Sequence, residues 1–85
     1  MAEEKLIGKI AHYFGKPSVG IIKLSDGLKM GDTIHIKGHS SDFTQQISSM
    51  EIEHVVVTEG KAGDMLGTKV EQKVHEHDEV YKVTG

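Results

Sequence analysis

At 85 residues the chain has room for one domain and one modest core, since chains divide into domains only above roughly 200 residues. It has no Cys, which excludes disulfides, thiolate zinc sites, iron–sulfur clusters and Cys nucleophiles. Ten Lys, no Arg and thirteen acids leave a net charge of -3, which excludes indiscriminate binding to a phosphate backbone.

The charge is unevenly spread. Residues 1–40 carry six Lys and four acids, residues 41–85 four Lys and nine acids. Without Arg there is no bidentate fork for phosphate or guanine, and Lys supplies point charges alone. No apolar run approaches the ~20 residues of a membrane span. Met1-Ala2-Glu3-Glu4-Lys5 is acidic, unlike a signal peptide. These features lead us to expect a cytoplasmic protein with no membrane span.

Taken in chain order, the dominant hydrophobic period is two, with Gly at the breaks. A short tail over 1–4 precedes a first strand from Lys5 to Phe14, with Leu6, Gly8 and Ile10 alternating against Ile7, Lys9 and Ala11. Gly15-Lys16-Pro17 turns the chain, and Ser18 to Leu24 forms a second strand. Ser25-Asp26-Gly27 turns again, and Asp32 to Lys37 puts Ile34 and Ile36 on one face. After a break at 38–41 comes an extended stretch from Asp42 to Thr58. Its apolar phase slips between Ile47 and Met50, which predicts a bulge or bend near Ser48-Ser49. Met65 to Val70 and Glu79 to Val83 complete six strands, with 84–85 as a tail; Val70 to His77 fits either a short helical or an irregular excursion. This pattern predicts an all-β fold, a small six-stranded antiparallel closed barrel over 5–83.

An internal echo accompanies the strands. Lys29-Met30-Gly31-Asp32 recurs as Lys61-Ala62-Gly63-Asp64, and His77-Asp78 holds the matching place before the last strand. Gly suits the positive-φ position of a turn and Asp can accept from turn amides. These residues are turn devices rather than catalysts.

The run from Gly20 to Ile36, through Ser25-Asp26-Gly27 and Lys29-Met30-Gly31-Asp32, resembles the opening of the second-domain β-barrel of translational GTPases such as elongation factor Tu. Glu59-Gly60-Lys61-Ala62-Gly63-Asp64-Met65-Leu66-Gly67 resembles that family's Ala-Gly-Asp-x-Val-Gly signature, and Asp78-Glu79-Val80-Tyr81 its ending. The resemblance covers residues 5–83. It implies a translation-type barrel docking to an RNA, ribonucleoprotein or protein partner. No Gly-x-x-x-x-Gly-Lys-Ser/Thr loop is present, so GTP binding by that route is excluded. The family's basic position falls at His54 or Val55 and its polar position at Met65, an apolar version that argues against tRNA-end recognition. Ile7 to Gly15 also resembles the opening of the small barrel subunit of box H/ACA ribonucleoproteins. The whole chain is similar as well to the accessory C-terminal barrel of collagenase-like peptidases.

The chemistry-bearing residues are sparse. Six His invite a metal or pH-responsive role, with His75-Glu76-His77-Asp78 the densest group, but their spacing fits no metal motif. None of the six Ser lies in a Gly-x-Ser-x-Gly elbow. Glu51 and Glu53 are expected to share a strand face, with Met50 and Ile52 on the other, as on any half-solvated strand. The expectation is therefore a non-catalytic binding module with neither cofactor nor metal. His54, Val56 and Met65 are the candidate partner-binding residues, and Lys16, Lys23, Lys29 and Lys37 the candidate RNA-binding ones, with Lys9 on the same face and Tyr13 and Phe14 as aromatics for base stacking. The alternatives are a helper for a separately encoded enzyme, in line with the peptidase resemblance, or a His-based metal or pH sensor.

Overall fold

A computed structural model describes residues 3–39 and 41–84. The expected tails and the break at 38–41 therefore fall partly on residues 1, 2, 40 and 85, outside the described residues. Among the described residues ten strands follow in order: β1 (Glu4–Phe14), β2 (Val19–Leu24), β3 (Leu28–Lys29), β4 (Thr33–Lys37), β5 (Asp42–Gln46), β6 (Glu51–Ile52), β7 (Val55–Val56), β8 (Glu59–Gly60), β9 (Met65–Lys69) and β10 (Glu79–Val83). Every pairing is antiparallel, and the described residues contain no helix. The class is all-β.

The six-stranded closed barrel is not what forms. Eight strands make one sheet in the order β5-β4-β10-β1-β2-β9-β6-β7, while β3 and β8 pair separately. The ladder stops at β5 and β7. The sheet nevertheless curls until β5 faces β9, and a side chain spans the gap. The Gln45 amide donates to Lys69 O at 2.8 Å and accepts from Glu71 N at 2.8 Å. No backbone ladder joins the two strands, and the bridge is made by a buried side chain instead.

The stretch expected to run from Asp42 to Thr58 breaks into β5, β6 and β7. Phe43, Gln45 and Ile47 point inward on odd positions, and Met50 on an even one. The phase change falls in 47–50, which leaves the ladder. Ser49 pins this bend, its carbonyl accepting from Thr68 Oγ1 at 2.7 Å and its Oγ from Lys69 N at 3.2 Å. A second break was hidden from the sequence. Glu53 and His54 both take positive φ, 52° and 66°, and close a two-residue hairpin between β6 and β7. Asn-Gly is the usual signal for such a turn, and neither residue is present. Glu51 and Glu53 therefore do not share a strand face.

β1 also departs from simple alternation. Its register slips against β10 between Leu6 and Gly8, and against β2 between Ile10 and His12. The first slip sends Ile7 into the core with Ile10 and leaves Leu6 exposed. The two slips bend β1 and let the sheet wrap its core. The segment 70–78 is irregular, and its Val70 and Val74 are buried in the core cluster. Leu28 of the β3/β8 pair is buried there as well. β1 and β10 lie side by side, with Thr84 N donating to Glu3 O at 2.7 Å.

The echoed motif is one turn used three times. Lys29 N, Lys61 N and His75 N donate to the carboxylates of Asp32, Asp64 and Asp78 at 2.8, 2.8 and 2.9 Å. The residue before each Asp has positive φ: Gly31 at 88°, Gly63 at 93° and His77 at 74°. A Cβ at Gly31 or Gly63 would meet no atom within 4 Å, so an Ala there suffers from backbone conformation alone. Gly31→Ala and Gly63→Ala are each expected to cost about 1 kcal/mol. His77→Gly should gain about 0.5 kcal/mol, strain relief being partly offset by a looser unfolded chain. Urea denaturation of the three variants checks both signs, and a stabilised Gly31→Ala would refute the account.

Candidate functional site

The site is built on the outer face of β2 and β9. On β2 the inward residues Ile22 and Leu24 leave Val19, Ile21 and Lys23 facing out. On β9 Leu66 and Thr68 face in, while Met65, Gly67 and Lys69 face out. Register then sets the neighbours. Ile21 lies beside Gly67 and Val19 beside Phe14, while Gly67 lies beside Glu51.

These neighbours enclose a groove of about 590 Å³. Its floor is Val19, Ile21 and Gly67, with Met65 alongside. The missing side chain of Gly67 makes the depth: a Cβ there would sit 3.3 Å from Ile21 Cδ1 and 3.6 Å from Val19 Cγ1. One wall is Phe14 and Pro17, where β1 ends and the chain turns. The other is the β6–β7 hairpin, which brings in Glu51, Glu53 and His54. Phe14 is 52% exposed and stacks loosely on His12, their ring centroids 6.2 Å apart. Among the described residues neither Glu51 nor Glu53 has a salt-bridge partner. The groove is apolar with an acidic wall.

Of the candidate partner-binding residues, His54 and Met65 meet in this groove. Val56 is 76% exposed but sits on the hairpin outside the lining. Phe14, expected as a stacking aromatic, joins His54 and Met65 in the groove, as do Pro17, Val19 and Ile21, for which the sequence carries no such expectation. Their convergence depends on register between β1, β2 and β9, which one-dimensional alternation does not encode. A smaller groove of about 340 Å³ lies by Leu6, Gly8, Lys9 and Lys23. The four candidate RNA-binding lysines are scattered. Lys16 is in the turn after β1, Lys23 on β2 beside Lys9, and Lys29 on β3 opposite Glu59. Lys37 ends β4 opposite Asp42 and Glu79.

His35 is held on both sides. Its Nδ1 lies 2.7 Å from Glu4 Oε2 and its Nε2 against Asp42 Oδ1, and the ring donates to both carboxylates when both its nitrogens carry protons. The Asp42 carboxylate chiefly, and then Glu4, raise its pKa above 6.5 against the opposing effect of burial. Asp42 is lowered in turn by that bond to His35. A raised folded-state value stabilises fully below the unfolded value and fades as pH climbs through the raised one. A lowered Asp42 contributes above about 3.8 and fades as pH falls. The melting temperature should therefore fall as pH rises from 6.5 through the raised His35 value, and this step should vanish in His35→Gln. Thermal melts across that range check it, and an identical profile in both proteins would refute it. Among the described residues no group of three His, Asp or Glu side chains is placed so that it could hold a metal ion, and no helix is long and apolar enough to cross a membrane.

Comparison with known proteins narrows the possibilities. No family model matches the chain. An uncharacterized protease of Methanocaldococcus jannaschii is 38% identical over 76 residues, which is 88% of this chain and 19% of that protease. The chain thus spans about a fifth of the curated relative that it matches. Two crystal structures of the C-terminal domain of a protein assigned as a Geobacillus thermoleovorans U32 peptidase superpose with TM-scores of 0.86. One, a selenomethionine variant, is 15% identical and covers 89% of this chain and 96% of its own. The other is 16% identical, covering 92% and 91%.

The fold is that of the U32 peptidase C-terminal domain. This corrects the resemblance to translational GTPases, since the similar proteins are a protease and a peptidase domain. The motifs that carried that resemblance, Lys29-Met30-Gly31-Asp32 and Lys61-Ala62-Gly63-Asp64, are the repeated turn. They fix backbone geometry and say nothing of a ligand. The translation-factor and RNA-binding readings fall with it. The findings side instead with the similarity to the accessory barrel of peptidases.

Proposed function

We propose that this chain is a non-catalytic accessory module that docks a peptidase body through the Phe14–Met65 groove. The observation that carries the reading is the match of 76 residues to a segment making up 19% of a protease, together with a fold found as a C-terminal peptidase domain. The groove supports it chemically. Half-exposed Phe14 and Met65 flank an apolar floor, and aromatic and thioether side chains of this kind adapt to protein partners. The hydrogen-bond partners of His35 are two carboxylates and the ion-pair partner of His12 is Glu76, which is structural pairing rather than activation of a hydroxyl nucleophile.

The test is calorimetric titration of this chain into the Methanocaldococcus jannaschii protease lacking its matching segment. Saturable binding is expected, weakened about tenfold or more by Met65→Asp or Phe14→Asp. No cleavage of labelled casein is expected from the chain alone. Absence of binding, or proteolysis by the isolated chain, would defeat the proposal.

A further inference from the structure

The groove has a feature that docking in general does not require, an acidic wall with no cation. Glu51 and Glu53 face an apolar floor, and among the described residues neither is paired. Lys23 and Lys69 lie on the same outer face of the sheet but do not line the groove. The hairpin that holds Glu53 and His54 does so through two positive-φ residues, neither of them Gly. Such backbone is costly and persists where its surroundings fix it. Here it fixes the position of the carboxylates beside the floor.

We infer that the groove takes a protein segment in which one large apolar side chain is flanked by Arg or Lys. This rests on the docking reading above and names the chemistry of its occupant. The apolar side chain would lie over Gly67, between Phe14 and Met65, where no Cβ obstructs it. The basic neighbour would reach Glu51 and Glu53, where a guanidinium can bond a carboxylate through two N–H groups. The Phe14 ring offers a face to a cation at the opposite wall.

The probes are three fluorescein-labelled synthetic peptides of identical length: Leu flanked by Arg, Leu flanked by Glu, and Ala flanked by Arg. Fluorescence anisotropy with the full chain should show the Arg–Leu–Arg peptide binding about tenfold tighter than either other. The preference should shrink with added salt. Glu51→Lys with Glu53→Lys should reverse the preference between Arg and Glu flanks, and Glu51→Gln with Glu53→Gln should abolish it. All four substitutions fall on exposed positions, and circular dichroism confirms the folded state of each variant. Equal binding of the Arg and Glu peptides, or a preference unmoved in the charge-reversed variant, would overturn the inference. A dimer in sedimentation that Met65→Asp dissolves would also overturn it, assigning the groove to a second copy of the chain. If the protease body binds wild type and charge-reversed protein equally, this inference fails alone. If that body does not bind at all while the peptide preference holds, the docking reading fails and the groove chemistry stands.

Discussion

Gly8→Ala is expected to cost about 3 kcal/mol and to lower the melting temperature by about 12–24 °C. An added Cβ would lie 2.5 Å from Lys23 O and 2.9 Å from Ile22 Cγ2. The first contact is with backbone, which cannot swing away as a side-chain tip can. Relief requires β1 and β2 to separate where Gly8 pairs with Leu24. Gly20→Ala is the control. Its Cβ would meet Val70 and Val74 methyl groups at 3.4 Å and Ile10 at 3.6 Å, ordinary packing contacts. Thermal and urea denaturation of both variants decide the matter. If they prove equally stable, β1 and β2 are not in the register described.

Gln45→Leu is expected to cost about 3 kcal/mol although it keeps the volume and apolar stem of the side chain. Two backbone groups lose partners at once, the Lys69 carbonyl and the Glu71 amide. A partly buried polar group left without a partner costs more than a hydrogen bond gains, and here two are left. The substitution should also release one amide in particular. Hydrogen exchange at Glu71 should accelerate well beyond the global change, because the span between β5 and β9 opens there first. A variant as stable as wild type, with Glu71 still protected, would show that another contact holds the curl.

Much of the fold was legible from alternation. Ile34 and Ile36 pack inward as their parity requires, and the slip between Ile47 and Met50 marks a real bend. The Asp-terminated turns were readable too, because Gly before Asp has a local physical meaning. What escaped were features set by distance between strands. Ile7 and Ile10 differ by three yet both reach the core, since a bulge depends on partners elsewhere in the chain. The Glu53-His54 turn lacks the residues that usually announce it, so the long extended stretch read as continuous. The closed ladder was expected because a small sheet hides its edges best by closing. The ladder stays open, with a glutamine amide bonding from β5 to the end of β9, and nothing in a sequence marks one Gln as a bridge. His54 and Met65 were identified through a resemblance to the wrong family, yet they line one groove. Phe14 and Ile21 join them through register alone.

The pairing of Glu4 with Val83, and the bond from Thr84 to Glu3, make the polypeptide resemble a ring interrupted at one seam. Its contacts are indifferent to which residue is synthesised first. Placed within a host protein, such a fold spans two attachment points only a strand's width apart, so a surface loop accommodates it as readily as a terminus does.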